Sequence, residues 1–222
     1  MKKLNLNELI KFYDNRVPES LRMATAVNSV IGEEFAVALL VHYFESSGYK
    51  IEVLPGPCKG TANKGVRLDR WIYATLGRKK ILFQTEIKNW SSHSIGGRVI
   101  PACVEKSNLE QLMTQNWHTR FDQANIPKEK QASKVLTRMS PPNAFSEFNL
   151  TPLICFWEAM HPEGKQVAYF QKKIENSAFK NLHIFSLSTY VRSLQNKGVS
   201  EIDVNLPNAN GVLEWVNRIY QC

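Results

Sequence analysis

Apolar positions along this chain switch between a helical period and an alternating one. Residues 5–15 and 20–47 repeat at helical spacing, and the second run, long and apolar, stops at Gly48, as helices commonly do at glycine. Within SVIGEEFAVALLVHYF, winding at about 100° per residue gathers Ala26, Val30, Glu33, Ala36, Val37, Leu40, Val41 and Phe44 into one stripe. Glu33 is therefore expected at the centre of the apolar face, with Glu34 about 100° away towards solvent. The period then changes. YKIEVLP predicts a strand, GPCKGTANKG a loop, and VRLDRWIYATL (66–76) and KILFQTEIK (80–88) two strands joined at LGRKK.

Downstream, the polar loop NWSSHSIGGRVIP leads to a predicted helix over about 103–124. Residues 125–150 read as irregular or inserted, marked by NIPKEK and SPPNAF, with a short helix around 129–139. PLICFWEAM and KQVAYFQKK predict strands around an HPEGK turn, NLHIFSL a further strand, and 188–196 and 209–220 closing helices. Strands interleaved with helices imply an α/β or α+β fold, a mixed sheet flanked by helices, and 222 residues suit one domain.

Composition narrows the class. Hydrophobic residues make up 43% of the chain, with aromatics scattered throughout, which excludes disorder. The formal net charge is +8, from 28 Lys and Arg against 20 Asp and Glu, and points to a polyanionic partner such as nucleic acid. Cys58, Cys103, Cys155 and Cys222 form no CxxC pair, which suits reduced thiols in the cytoplasm. The first residues, MKKLNLNELIKFYDNR, lack the uninterrupted apolar core of a secretory signal, and no run of about twenty apolar residues suggests a membrane span. Walker-type glycine loops, a Rossmann fingerprint, a GxSxG elbow and HxxxH metal spacing are all missing.

The chemistry gathers in FQTEIKNW, residues 83–90. Strand alternation puts Gln84, Glu86 and Lys88 on one face of a largely apolar strand. Asp69 stands on the preceding strand among Val66, Leu68, Trp71 and Ile72, and strand pairing would bring it to Glu86. Two neighbouring carboxylates repel unless a cation lies between them, and Mg²⁺ prefers such oxygen donors. Lys88 would then orient a water or neutralise charge developing on a phosphate. Glu33, a carboxylate on an apolar helix face, needs compensation that the same cation would provide.

Taken in order, Glu33 in GEEFA, Asp69 in RLDRW, and Glu86 and Lys88 in TEIK resemble the catalytic signature of the PD-(D/E)XK nuclease superfamily. The resemblance covers roughly residues 28–90, with Leu68 where the name has proline. It implies a restriction-endonuclease-like core and Mg²⁺, replaceable by Mn²⁺, held by Asp69, Glu86 and Glu33, with Lys88 assisting the attacking water. It also implies a deoxyribonuclease. A restriction or defence-type endonuclease is the preferred role, with residues 125–150 serving target recognition. A homodimer follows if both strands of a duplex are cut by one site per chain. The alternatives are a junction or repair nuclease, and a non-catalytic nucleic-acid-binding subunit that keeps the nuclease fold.

Secondary candidates surround this set. Lys59, Lys64 and Arg67 in the glycine-bearing loop CKGTANKGVR resemble a phosphate-tracking element, against the plainer reading of a basic hairpin. Trp90, Ser91, Ser92 and His93 follow Lys88 and would line the mouth of a cleft. Gln111 and Gln115 lie one turn apart on the next helix, facing either the site or solvent. Trp117, His118 and Arg120 offer a stacking surface, with core packing the plainer role for Trp117. Gln84 suits contact with a water or phosphate, or closure of the sheet end.

Overall fold

A computed structural model describes residues 2–14, 25–54, 58–59, 67–88, 135–159, 161, 163–174, 178–206, 211 and 214. The predicted helices over 103–124 and 209–220 therefore fall wholly or mostly outside the described residues, as do the loop after Asn89 and the first part of the predicted 129–139 helix. Among the described residues the elements are β1 (Lys2–Asn5), α1 (Leu6–Asp14), α2 (Thr25–Ser46), β2 (Lys50–Val53) and β3 (Cys58–Lys59). They continue with β4 (Arg67–Leu68), β5 (Arg70–Leu76), β6 (Lys79–Lys88), a 3-10 turn at Asn143–Phe145 and β7 (Asn149–Phe156). The last are β8 (Tyr169–Lys173), β9 (Asn181–Ser186), α3 (Leu187–Gln195) and β10 (Glu201–Val204). No described helix is long and apolar enough to cross a membrane.

The architecture is mixed α/β, built on a six-stranded sheet ordered β2-β5-β6-β7-β9-β8. Strands β2, β5 and β6 run antiparallel, β6, β7 and β9 are parallel, and β8 pairs antiparallel at the far edge. The β5–β6 hairpin forms as the sequence predicts: Leu76 pairs with Lys79 across Gly77 and Arg78, and Gly77 adopts φ +57°, a conformation glycine takes without steric cost. The HPEGK region does not join two neighbouring strands. Strand β9 lies between β7 and β8, because its apolar LHIFS run pairs on both sides.

The sheet buries both faces. One carries Ile72, Ala74, Ile81, Phe83, Ile87, Leu153, Cys155 and Phe185 against Ala36, Leu39, Leu40 and Phe44 of α2 and against α1 and α3. The other carries Trp71, Tyr73, Leu82, Ile154, Phe156, Leu182 and Ile184 against Val135 and Met139. Helix α2 does not bury the single stripe its spacing suggests. Ala38 and Leu39 are buried as well as Ala36 and Leu40, because α2 touches α3, β2 and β10. Tyr43 on α2 meets Phe185 and Tyr190 with ring centroids 5.2 Å apart in each case, which ties the helix to β9 and α3.

Local caps set two helix ends, and the one at Gly48 is the one the sequence predicts. Asn5 Oδ1 accepts the amides of Asn7 at 3.0 Å and Glu8 at 3.1 Å, starting α1. Gly48, at φ +83°, closes α2: its amide donates to the Glu45 carbonyl at 2.9 Å and that of Tyr49 to Phe44 at 3.0 Å. The short strands β1 and β10, which the sequence does not announce, pair antiparallel with Lys2 opposite Val204.

Candidate active site at the end of strand β6

Strands β6, β7 and β9 end level with one another: Phe156 is in register with Lys88 on one side and with Ser186 on the other. In open α/β sheets the crevice beyond the carboxyl ends of parallel strands is the usual ligand site. Lys88 is the last residue of β6 and Glu86 the third from last.

Asp69 sits in a bend between β4 and β5 and is half-buried. Its amide donates to the Thr85 carbonyl at 3.1 Å, and its Oδ2 accepts the Ile87 amide at 2.7 Å. Asp69 is thus bonded to both residues that flank Glu86. With Arg70 in register with Thr85, the hairpin brings Asp69 beside Glu86, as the sequence predicts. Glu86 is fully buried. Alternation along β6 places it with Leu82 and Gln84, on the face opposite α2.

The helix acids are arranged differently from the sequence expectation. Glu34, expected nearer solvent, is 3% exposed, while Glu33, expected at the centre of the apolar face, is half-buried. Glu34 accepts a 2.7 Å hydrogen bond from Nη2 of Arg70, itself 5% exposed. The reason is cross-strand register: Arg70 faces α2 beside Thr85, and a buried guanidinium requires an anion. Helix α2 packs on the Phe83 face, where Glu34 meets Arg70, whereas alternation along β6 turns Glu86 to the opposite face.

Among the described residues, no group of three or more His, Cys, Asp or Glu side chains is placed to hold a metal ion. Of the expected metal-binding acids, Asp69 and Glu86 are the two whose backbones adjoin near the end of β6. Two hard oxygen donors suit Mg²⁺, which keeps several waters and takes substrate oxygens for the rest of its shell. Glu33 does not extend this pair into a three-acid cage among the described residues.

Gln84, a candidate for contact with water or phosphate, is instead a structural anchor. Its Nε2 donates to the carbonyls of Val135 and, at 3.0 Å, Thr137, while its Oε1 accepts the Met139 amide at 3.3 Å. Position 84 thereby fastens the 135–139 segment over the sheet, which the strand pattern alone does not reveal. Cys155, a free thiol, is fully buried, and burial, reinforced by the charge of Asp69, pushes its thiol far up, so it remains protonated and unreactive.

The hairpin of β3 and β4 runs directly into Asp69, with Lys59 in register with Arg67 and Cys58 with Leu68. Lys88 ends β6. The side chains of Lys59, Arg67 and Lys88, and all of Lys64, Trp90, His93, Gln111, Gln115, Trp117 and Arg120, lie outside the described residues. No protein-family model, curated protein or solved structure matches the chain.

Proposed function

We propose that the protein is a Mg²⁺-dependent nuclease with a restriction-endonuclease-like core, hydrolysing phosphodiester bonds in DNA as an endonuclease of restriction or defence type. The observation that carries this reading is Asp69 bonded on both sides of Glu86 at the carboxyl end of β6. The basic balance of the chain and the register of Lys59 with Arg67 on the hairpin entering Asp69 support a phosphate-bearing substrate.

Asp69 and Glu86 would hold the ion. When bound, Mg²⁺ supplies Lewis-acid polarisation of the scissile phosphate and an acidified water. Asp69 is kept in place by the Ile87 amide, so its carboxylate is oriented before substrate arrives. Lys88, two residues after Glu86, orients the attacking water and neutralises charge on the phosphoryl oxygens. Cutting both strands of a duplex then calls for two copies of the chain.

Supercoiled plasmid, linear duplex and four-way junctions incubated with the purified chain and Mg²⁺ provide the test. Wild type should nick or cut one of these, while Asp69→Ala and Lys88→Ala should fold and bind but cut at least about 100-fold more slowly, the scale of losing a key electrostatic group. Equal cutting by all three sinks the assignment. A second reading, a non-catalytic DNA-binding subunit, draws on the same basic charge balance. Salt-sensitive DNA binding without Mn²⁺ uptake would select it.

A further inference from the structure

We infer that the buried pair Glu34 and Arg70 acts as a positioning device for Asp69, so that α2 serves the site through Arg70 and not by donating a ligand. The inference rests on the nuclease reading for its functional consequence, and on geometry for its structural one.

Arg70 makes two bonds in opposite directions. Nη2 reaches Glu34 Oε1 on α2 at 2.7 Å, and Nη1 turns back to the carbonyl of Asp69, also at 2.7 Å. The peptide that carries Asp69 is therefore tied through one guanidinium to the centre of a long, packed helix. On its other side, Asp69 is tied to β6 by the Thr85 carbonyl and the Ile87 amide. Together these bonds fix the bend at Asp69 from two elements.

A planar guanidinium with several donors can span two such acceptors, and a lysine ammonium lacks that fixed fork. The pair is also costly: both side chains are removed from water, and well-packed apolar residues of similar volume are often as stable or more so. An apolar residue at position 70 would match the core around Ile72 and Phe83, but it would release the Asp69 carbonyl. Holding that carbonyl is what the costly pair adds.

The test compares wild type with Glu34→Gln and with the double variant Glu34→Gln/Arg70→Gln, which leaves no unpaired buried charge. Amide hydrogen exchange at Ile87 reports the Asp69 carboxylate directly and needs no activity. In the double variant, exchange at Ile87 should accelerate at least tenfold while Leu82 and Phe83 keep their protection. Glu34→Gln, which keeps an oxygen acceptor for Arg70 but takes away its anion, should accelerate it less than the double variant does. Wild-type protection of Ile87 in the folded double variant overturns the proposal. So does loss of Mn²⁺ affinity in Glu34→Gln with Ile87 protected, which would make Glu34 a ligand. Where wild type cleaves DNA, the double variant should lower kcat at least tenfold with KM held within twofold. Absence of cleavage by wild type would refute the nuclease reading and leave the Ile87 measurement to decide this one.

Discussion

The carboxylate of Asp69 accepts a 2.7 Å hydrogen bond from the backbone amide of Ile87, so the side chain proposed to hold the metal is also part of the sheet. Removing it therefore has two effects, which different substitutions separate. Asp69→Asn keeps an oxygen acceptor for Ile87 and should change stability by less than about 1 kcal/mol, whereas Asp69→Ala strands the amide and should cost about 1–3 kcal/mol. Both should lose Mg²⁺-dependent cleavage. Urea denaturation beside plasmid nicking measures the two separately, and an Asn variant that cuts at the wild-type rate would remove Asp69 from the mechanism.

Gln84→Leu should destabilise the protein by about 3 kcal/mol, because it deprives Val135, Thr137 and Met139 of partners for their backbone groups. Exchange at the Met139 amide should rise in the same variant. A loss below about 0.5 kcal/mol, the range of ordinary surface substitutions, would show that the 135–139 segment is held by other contacts.

Thr85→Val should be neutral or stabilising, by up to about 1 kcal/mol. The hydroxyl of Thr85 is buried with no hydrogen-bond partner among the described residues, so valine, of nearly the same shape, removes a desolvation penalty. A lower melting temperature for this variant would contradict the prediction.

His183 gives stability a definite pH dependence. Burial, and secondarily the charge of Lys79, lowers its pKa from 6.5 to about 4, and its Nδ1 is hydrogen-bonded to the Tyr169 hydroxyl. Between these two values the unfolded chain binds a proton that the folded chain does not, so the contribution is complete above pH 6.5 and falls as pH drops towards 4. Denaturation of wild type and His183→Gln at pH 7.5 and pH 5 should show the smaller acid loss in the variant. Equal losses would remove His183 from the acid response.

Legibility in the sequence followed the range of the interactions. The β5–β6 hairpin, the end of α2 at Gly48 and the approach of Asp69 to Glu86 depend on alternation, a two-residue turn and a local cap, signals carried by short stretches of sequence. The order β7-β9-β8 was not readable, because HPEGK signals a turn without saying which strand will lie beside which. The pairing of β1 with β10 joins residues 2–5 to residues 201–204, far apart in the sequence, and neither four-residue strand carries a distinctive pattern. Gln84 reads from sequence either as a contact for water or phosphate or as closing the sheet end, because nothing local indicates that three backbone groups from 135–139 converge on it.

The sequence by itself determined that Asp69, Glu86 and Lys88 would gather near one strand end, since the alternating period and the turn at Gly77 leave a hairpin little choice of register. Only the tertiary structure decided the fate of the helix acids. The rotation of α2 about its axis is set by everything packed around it, and an apolar helix has no single stripe to fix that angle. Once Arg70 was buried facing α2, the acid that reached it was Glu34, and the helix was tied to the backbone of Asp69 through that guanidinium.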